Sequence, residues 1–284
     1  MRKLLFGTAG IPHSARFNSS IEGIKQVKKL GLSCMELEFV QGVRVNEEMA
    51  LEIAKVAKEN GVTLSVHAPY FINFNSADIK KVHASKQRLL QSARIGHLCG
   101  ARSVVFHPGF YLGKKKSEVY KVIKEEMVQI TKILKDEDNP ILLRPEVTGK
   151  ILAFGDIVEV LRLSCELENV LPCIDFAHLH ARTGEFNSYE EFCKVLKLIE
   201  NELGDEALKE MHIHVAGIQY GLKGERRHVN LQESDLNYQD LIKAVYDFEV
   251  KGIIICESPN LEEDALLLQT KFRSFQHIKR RALN

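Results

Sequence analysis

The chain has 284 residues, 45% of them hydrophobic and 27% charged, with a formal net charge of +1. This is the composition of an ordinary folded protein, and near-neutrality excludes a global field that would recruit nucleic acid, so any anion binding must come from local patches. No apolar stretch approaches membrane-spanning length, and six dispersed cysteines without a CxxC pair read as reduced, buried thiols, so a soluble, cytoplasmic protein is expected.

Taken in chain order, strand-like and helix-like patterns alternate from end to end. The basic start MRK is followed by LLFGTAG from Leu4, which has too few apolar residues for a signal peptide and reads as a first strand. Further strand-like runs are SCMELEFV from Ser33, TLSVHAP from Thr63, SVVFHPG from Ser103 and PILLRPEV from Pro140. VLPCIDFAH from Val170, EMHIHVAG from Glu210 and GIIICESP from Gly252 complete the set. They are short and rich in Val, Ile, Leu and Phe, as strands buried on both faces of a parallel sheet are. Between them lie amphipathic helical patterns. NEEMALEIAKVAKENG carries acids in its first turn, apolar residues at three and four spacing, a Lys near its end and Gly61 as a stop. Asn260 ahead of LEEDALLLQTKF marks another helix start, and the basic Lys279–Arg281 tail reads as a frayed helix end.

The strand-like runs begin roughly 30 to 40 residues apart, which predicts a (β/α)8 TIM barrel as a single domain over 1–284. An open doubly wound sheet is disfavoured, because neither GxGxxG nor GxxxxGK[ST] follows the first strand.

Metal-competent side chains close or follow these runs: His67, His107, Glu146, Asp175 with His178, His212, Glu225 with His228, and Glu257. In such barrels the chemistry sits at the C-terminal ends of the strands. A lone strand histidine is more often a satisfied structural residue than a ligand, but the same placement on strand after strand would then need repeated coincidence. Buried carboxylates also demand partners, and metal coordination supplies them. A mixed imidazole and carboxylate set suits Zn²⁺, with Mn²⁺ or Fe²⁺ as alternatives. Nine groups exceed one tetrahedral ion, so two or three ions sharing a bridging carboxylate are expected. Paired ions are the usual device for displacement at phosphorus.

The strings HAPYFINFNS, FHPG, PEVTGK, DFAH, MHIHVAG, RRHVNLQES and CESPN, in this order, resemble the endonuclease IV family of abasic-site DNA repair enzymes over nearly the whole chain from His67 to Glu257. The resemblance implies a TIM barrel with three Zn²⁺ ions. It implies that His67, His107 and Glu146 hold one ion, and that Glu146, Asp175, His212 and Glu257 hold a second. The third would use His178, His228 and an acid just before it. Here the chain departs from the family, which has Asp two residues before the histidine where this sequence has Arg226; Glu225 is the nearest carboxylate. Tyr70 and Phe71 match a family motif in which a large side chain wedges into the DNA stack beside the lesion. The activity implied is hydrolysis of double-stranded DNA on the 5′ side of abasic sites, with Glu146 orienting the attacking water.

Basic residues just beyond the strands add a local phosphate-facing crown: Lys150, Arg182, Lys223, Arg226 and Arg227 are expected to contact DNA. Lys114 to Lys116 read as a solvated run, and His180 and His214 as supports of the ligands or simple strand residues. No membrane and no obligatory protein partner are indicated. Two other readings stand beside the nuclease. A sugar isomerase or epimerase with one divalent ion would need only Glu146, Asp175, His212 and Glu257, leaving His67, His107 and His228 unexplained. A damaged-DNA-binding protein that does not cut is the third, given weight by Arg226.

Overall fold

The structure is a computed structural model that describes Met1 and residues 3–283, with side chains through His277; the basic side chains of Lys279–Arg281 lie outside the described residues. The chain runs β1 (Leu4–Ala9), α1 (Ser20–Lys29), β2 (Cys34–Glu38), α2 (Glu47–Asn60), β3 (Thr63–His67), α3 (Ile79–Leu98) and β4 (Ser103–Phe106). It continues through α4 (Lys116–Asp136), β5 (Leu142–Pro145), α5 (Ile157–Glu166), β6 (Cys173–Asp175), α6 (Phe176–Thr183), α7 (Tyr189–Leu203) and α8 (Asp205–Leu208). The last part is β7 (Met211–Val215), β8 (Gly217–Gly221), β9 (Gly224–Val229), α9 (Tyr238–Asp247), β10 (Gly252–Cys256) and α10 (Glu262–Leu283).

Local chemistry sets several boundaries. In α2 the Asn46 side chain accepts from the Met49 amide, and Gly61 closes the helix in the left-handed region at φ 64°. In α5 Asp156 and Glu159 form a reciprocal capping box.

Eight strands pair in parallel in the order β5-β4-β3-β2-β1-β10-β7-β6. The two ends of that sheet meet through bridges Leu143↔Val170 and Glu146↔Cys173, so the sheet closes into the TIM barrel expected from the strand spacing. Most of the core lies between strands and outer helices, where Phe106, Phe154, Phe176 and Phe192 are fully buried.

The lumen is divided. One side is apolar, formed by Leu5, Cys34, Ile253 and Ile255. The other is polar: Glu36 on β2 touches His212 and His214 on β7, and Ser103 on β4 touches His212. Those strands are not neighbours, so these contacts cross the interior. A TIM barrel lumen is normally packed with branched aliphatic side chains, and this polar half is the first departure from that rule.

The antiparallel β8–β9 hairpin after β7 has no counterpart among the expected strands. Its strands are short, polar and Gly-bounded, so they lack the apolar signature of the barrel strands. The hairpin folds over the mouth because two glycines permit close approach. A Cβ on Gly224, itself at φ 84°, would sit 2.1 Å from the Gly149 carbonyl oxygen, and one on Gly149 would sit 2.6 Å from the Glu225 Cβ.

A candidate metal centre at the barrel mouth

Glu146, directly after β5, is the hub. It is 1% exposed, and its Oε2 lies 3.2 Å from His67 Nε2 and 2.9 Å from His107 Nε2. Its Oε1 lies 3.0 Å from His178 Nδ1 and 3.6 Å from His214 Nδ1. Burial alone would raise its pKa, but the surrounding imidazoles outweigh burial and hold it well below the usual carboxylate range. Glu146 is therefore ionised and shared by several partners.

Ring tautomers follow from the neighbouring carbonyls. His67 Nδ1 is 2.8 Å from the Ala68 carbonyl oxygen, which can only accept, so Nδ1 carries the proton and Nε2 faces Glu146. His178 Nδ1 is likewise 3.1 Å from the Val147 carbonyl oxygen, which turns its Nε2 towards His228 and Glu225. Asp175 ends β6 and caps α6: one oxygen accepts from the His178 amide at 2.7 Å, while Oδ2 is buried without a hydrogen bond.

The ligand-type atoms gather into four groups, each with its atoms within 4.8 Å of one another: His67–His107–Glu146, Glu146–Asp175–His214–Glu257 and Asp175–His178–His228 overlap at the mouth, and Cys173–His212–His214 lies deeper in the lumen. His214 occupies the second group, and His212, which the family resemblance had placed there, does not. Both β7 histidines face inward, as alternate residues of a strand must. His212 lies one layer deeper, with Nε2 at 3.1 Å from Glu36 and Nδ1 at 3.2 Å from the Ser103 hydroxyl. His214 instead has Nδ1 at 3.4 Å from Glu257 Oε1. Burial lowers the His212 pKa to about 4, so that ring is neutral.

Glu225 reaches the third group through a β-bulge. Gln219 pairs with Arg227 and Tyr220 with Glu225, so Arg226 is the extra residue of β9. Without the bulge, residues three apart would face opposite sides of a strand. With it, His178 Nε2 lies 3.2 Å from His228 Nε2 and 3.5 Å from Glu225 Oε2.

This donor set fits divalent ions. Glu146 Oε1, Asp175 Oδ2, His214 Nδ1 and Glu257 Oε2 are all buried without hydrogen-bond partners. Three buried carboxylates this close repel one another unless protons or cations intervene. Protein alone leaves the tension visible, since burial pushes the Glu257 carboxyl up to about 8. Glu38 on β2, also inward, is likewise pushed up to about 8 by burial.

His67, His107, Glu146, His178, His228 and Glu257 of these groups line a cavity of about 430 Å³ together with Tyr70, Gly109, Phe110, Thr148, Lys150 and Glu225. Tyr70 stands edge-on to His67 at 5.2 Å between ring centres, and its neighbour Phe71 is 67% exposed. Other exposed apolar side chains stand on adjacent mouth loops: Phe110, Leu112, Ile151, Leu152 and, at the tip of the β8–β9 hairpin, Leu222. A cleft of similar size, about 420 Å³, lies between β1 and α10 near Lys3 and Arg273, but gathers no metal-ligating group among the described residues.

The basic residues divide. Lys150, Lys223, Arg226 and Arg227 are exposed around the mouth, with Arg227 Nε donating to Gln219 at 2.9 Å. Arg182 differs from expectation: its guanidinium donates to the carbonyls of Thr148, Lys150 and Ala153 at 3.1, 2.6 and 3.0 Å. It staples the β5–α5 loop, with both terminal nitrogens engaged there. His180 is also turned away, with Nδ1 at 2.8 Å from the Glu185 carbonyl oxygen. Among the described residues, no helix is long and apolar enough to cross a membrane.

Residues 24–275 match the family described as xylose isomerase-like TIM barrel. An uncharacterised protein of Methanocaldococcus jannaschii is 46% identical over 266 residues, covering 93% of this chain and 95% of that one. A probable endonuclease 4 of Mycoplasma genitalium is 27% identical over 221 residues, covering 75% and 72%. Among solved structures, endonuclease IV from Thermus thermophilus superposes with TM-score 0.73 at 18% identity, covering 95% of this chain and 99% of that one. A D-tagatose 3-epimerase-like protein gives the same TM-score, 0.73, at 15% identity and coverage of 98% and 100%.

Proposed function

Because the chain belongs to the xylose isomerase-like TIM barrel family, we propose that it is a divalent-metal-dependent DNA repair endonuclease that hydrolyses the phosphodiester 5′ to abasic sites. One observation carries this reading: the donors do not stop at the quartet Glu146, Asp175, His214 and Glu257, but extend through His67 and His107 on one side and His178, Glu225 and His228 on the other. A quartet serves one ion. The extended set serves two or three, with Glu146 shared. Likeness to proteins called probable endonuclease 4 supports the same reading.

Zn²⁺ is the ion the donor types favour, with Mn²⁺ as an alternative. Bound there, such ions would lower the pKa of water and neutralise charge on the phosphoryl oxygens. The chain's own residues do the rest. Glu146 stays ionised and holds the two sides of the cluster in register. Asp175 uses one oxygen to fix α6 and leaves the other among Glu146, His214 and Glu257. Tyr70 and Phe71 stand exposed at the mouth, where stacking would replace what an unpaired duplex position loses, a few kcal/mol in general. Exposed Lys150, Lys223, Arg226 and Arg227 face the phosphate backbone on either side, so a chain of net charge +1 still meets DNA with a basic rim.

A sugar isomerase or epimerase with a single ion is the second reading, and the Glu146–Asp175–His214–Glu257 quartet favours it. It assigns no task to His67, His107 or His228. The deciding experiment incubates metal-loaded protein with a duplex holding one tetrahydrofuran abasic analogue. Incision immediately 5′ to the analogue is expected. Intact DNA under saturating Zn²⁺ and Mn²⁺ rejects the nuclease, and binding without cutting favours a damage-recognition protein.

A further inference from the structure

Buried ligand histidines need their second ring nitrogen held, because that contact decides which nitrogen offers a lone pair. His67 and His178 obtain this from the backbone carbonyls of Ala68 and Val147. His214 is fully buried and has a carboxylate in that place: its Nε2 lies 3.0 Å from Glu36 Oε1 as an ion-pair contact, and neither atom has a hydrogen-bond partner elsewhere. We propose that Glu36 is the positioning residue for His214, holding the ring by Nε2 so that Nδ1 enters the Glu146–Asp175–Glu257 group. The proposal rests on the metal reading above.

Three further observations support it. Glu36 is 0% exposed, on a strand that contributes no ligand to the three groups at the mouth, and it reaches β7 across the lumen. Its other oxygen accepts from the Ser65 hydroxyl at 2.7 Å and lies 3.1 Å from His212 Nε2, so the carboxylate is itself held from two strands. His214 Nδ1 points the other way, 3.4 Å from Glu257 and 3.6 Å from Glu146. The Cys173 thiol also lies beside this ring, but a thiol is a weak acceptor and does not impose a tautomer as a carboxylate does. His212 then acquires a role as well: it sits behind Glu36 as a neutral support, with Ser103 fixing its far side.

Two measurements test this. Histidine ¹⁵N NMR of the zinc-loaded wild-type protein should show His214 protonated at Nε2 and bare at Nδ1; a proton on Nδ1 overturns the proposal, and this arm needs no variant. In the second, Glu36→Gln keeps the shape but removes the charge. Titration with Co²⁺ should show one ion bound about 10- to 100-fold more weakly, with an altered visible spectrum, as for other losses of a ligand's outer partner. In a His214→Ala background the same change should add nothing. Wild-type Co²⁺ affinity and spectrum in Glu36→Gln overturn the role of Glu36 while leaving the metal reading intact. A wild-type protein that takes up no divalent ion removes both.

Discussion

Protons stand where cations would go. Burial would lower the His67 pKa, but the Glu146 carboxylate beside it outweighs that and raises it to about 9, while burial raises Glu257 to about 8. At neutral pH an incoming ion must therefore displace protons from both. Metal affinity is predicted to strengthen as pH rises through 8 to 9, with proton release visible when calorimetry is repeated in buffers of different ionisation enthalpy. A pH-independent affinity over that range would contradict these assignments. Linkage gives a companion effect in the metal-free protein. His67 favours folding fully below its ordinary value of 6.5 and loses that contribution as pH rises through 9. Glu257 stays protonated when folded but ionises near 4.5 when unfolded, so it too costs stability as pH climbs towards 8. Thermal melts should accordingly show the Tm of the metal-free protein falling between pH 6.5 and 9 from these two groups, and added metal reversing the fall. Glu225 offers the sharpest single-residue test of the third group. Glu225→Ala should weaken one ion by about tenfold or more and leave the others in place, read by metal analysis after dialysis. Unchanged stoichiometry and affinity would mean that the bulge at Arg226 brings Glu225 there to no purpose.

Elements decide which charges are free. The β5–α5 loop and the β8–β9 hairpin lean on each other through Gly149 and Gly224, and Arg182 on α6 ties the loop down from within. Arg182→Ala leaves several carbonyls short of a charged donor, a loss of about 1–3 kcal/mol. At about 2–4 °C per kcal/mol for a large domain, this appears as a clear drop in Tm. Lys223→Ala, on the exposed hairpin turn, should do the opposite: no change in Tm, but a DNA-binding salt slope reduced by about one. Equal effects of the two variants on the salt slope would return Arg182 to the phosphate-facing set.

The same elements explain what the sequence made legible. The barrel strands announced themselves because each is an apolar run buried on both faces, and Asn46 and Gly61 bounded α2 as capping chemistry requires. The hairpin did not, because Gly221 and Gly224 interrupt Gly217–Val229 and Glu225, Arg226 and Arg227 stand where a buried barrel strand carries aliphatic residues. His212 and His214 were indistinguishable by pattern: alternate residues share a face, and only depth in the lumen separates a ligand from its support. Glu36 was not among the expected site residues, although acids alternate in CMELE within an otherwise apolar strand. Period-two acids on the buried face of a parallel strand demand partners, and that demand pointed into the lumen.

At the scale of the whole molecule, the barrel holds a graded interior. Aliphatic side chains fill one half of the lumen, a neutral and anionic network around Glu36 and His212 fills the other, and the ligand groups stand above it at the mouth. Strand ends, the first turn of α6 and the β8–β9 hairpin hold these groups. The family relation fixes the barrel, and likeness to epimerases and nucleases at equal TM-score leaves the chemistry to the side chains. Their count separates the readings: four donors around one ion, or a wider set around several. The most direct measurement is the number of divalent ions per chain in protein loaded with Zn²⁺ and freed of excess metal, compared with a His67→Ala, His107→Ala double variant. Two or three ions in the wild type, with one fewer in the variant, are predicted; a single ion in both would contradict the multi-ion centre and turn the assignment towards a sugar-transforming enzyme.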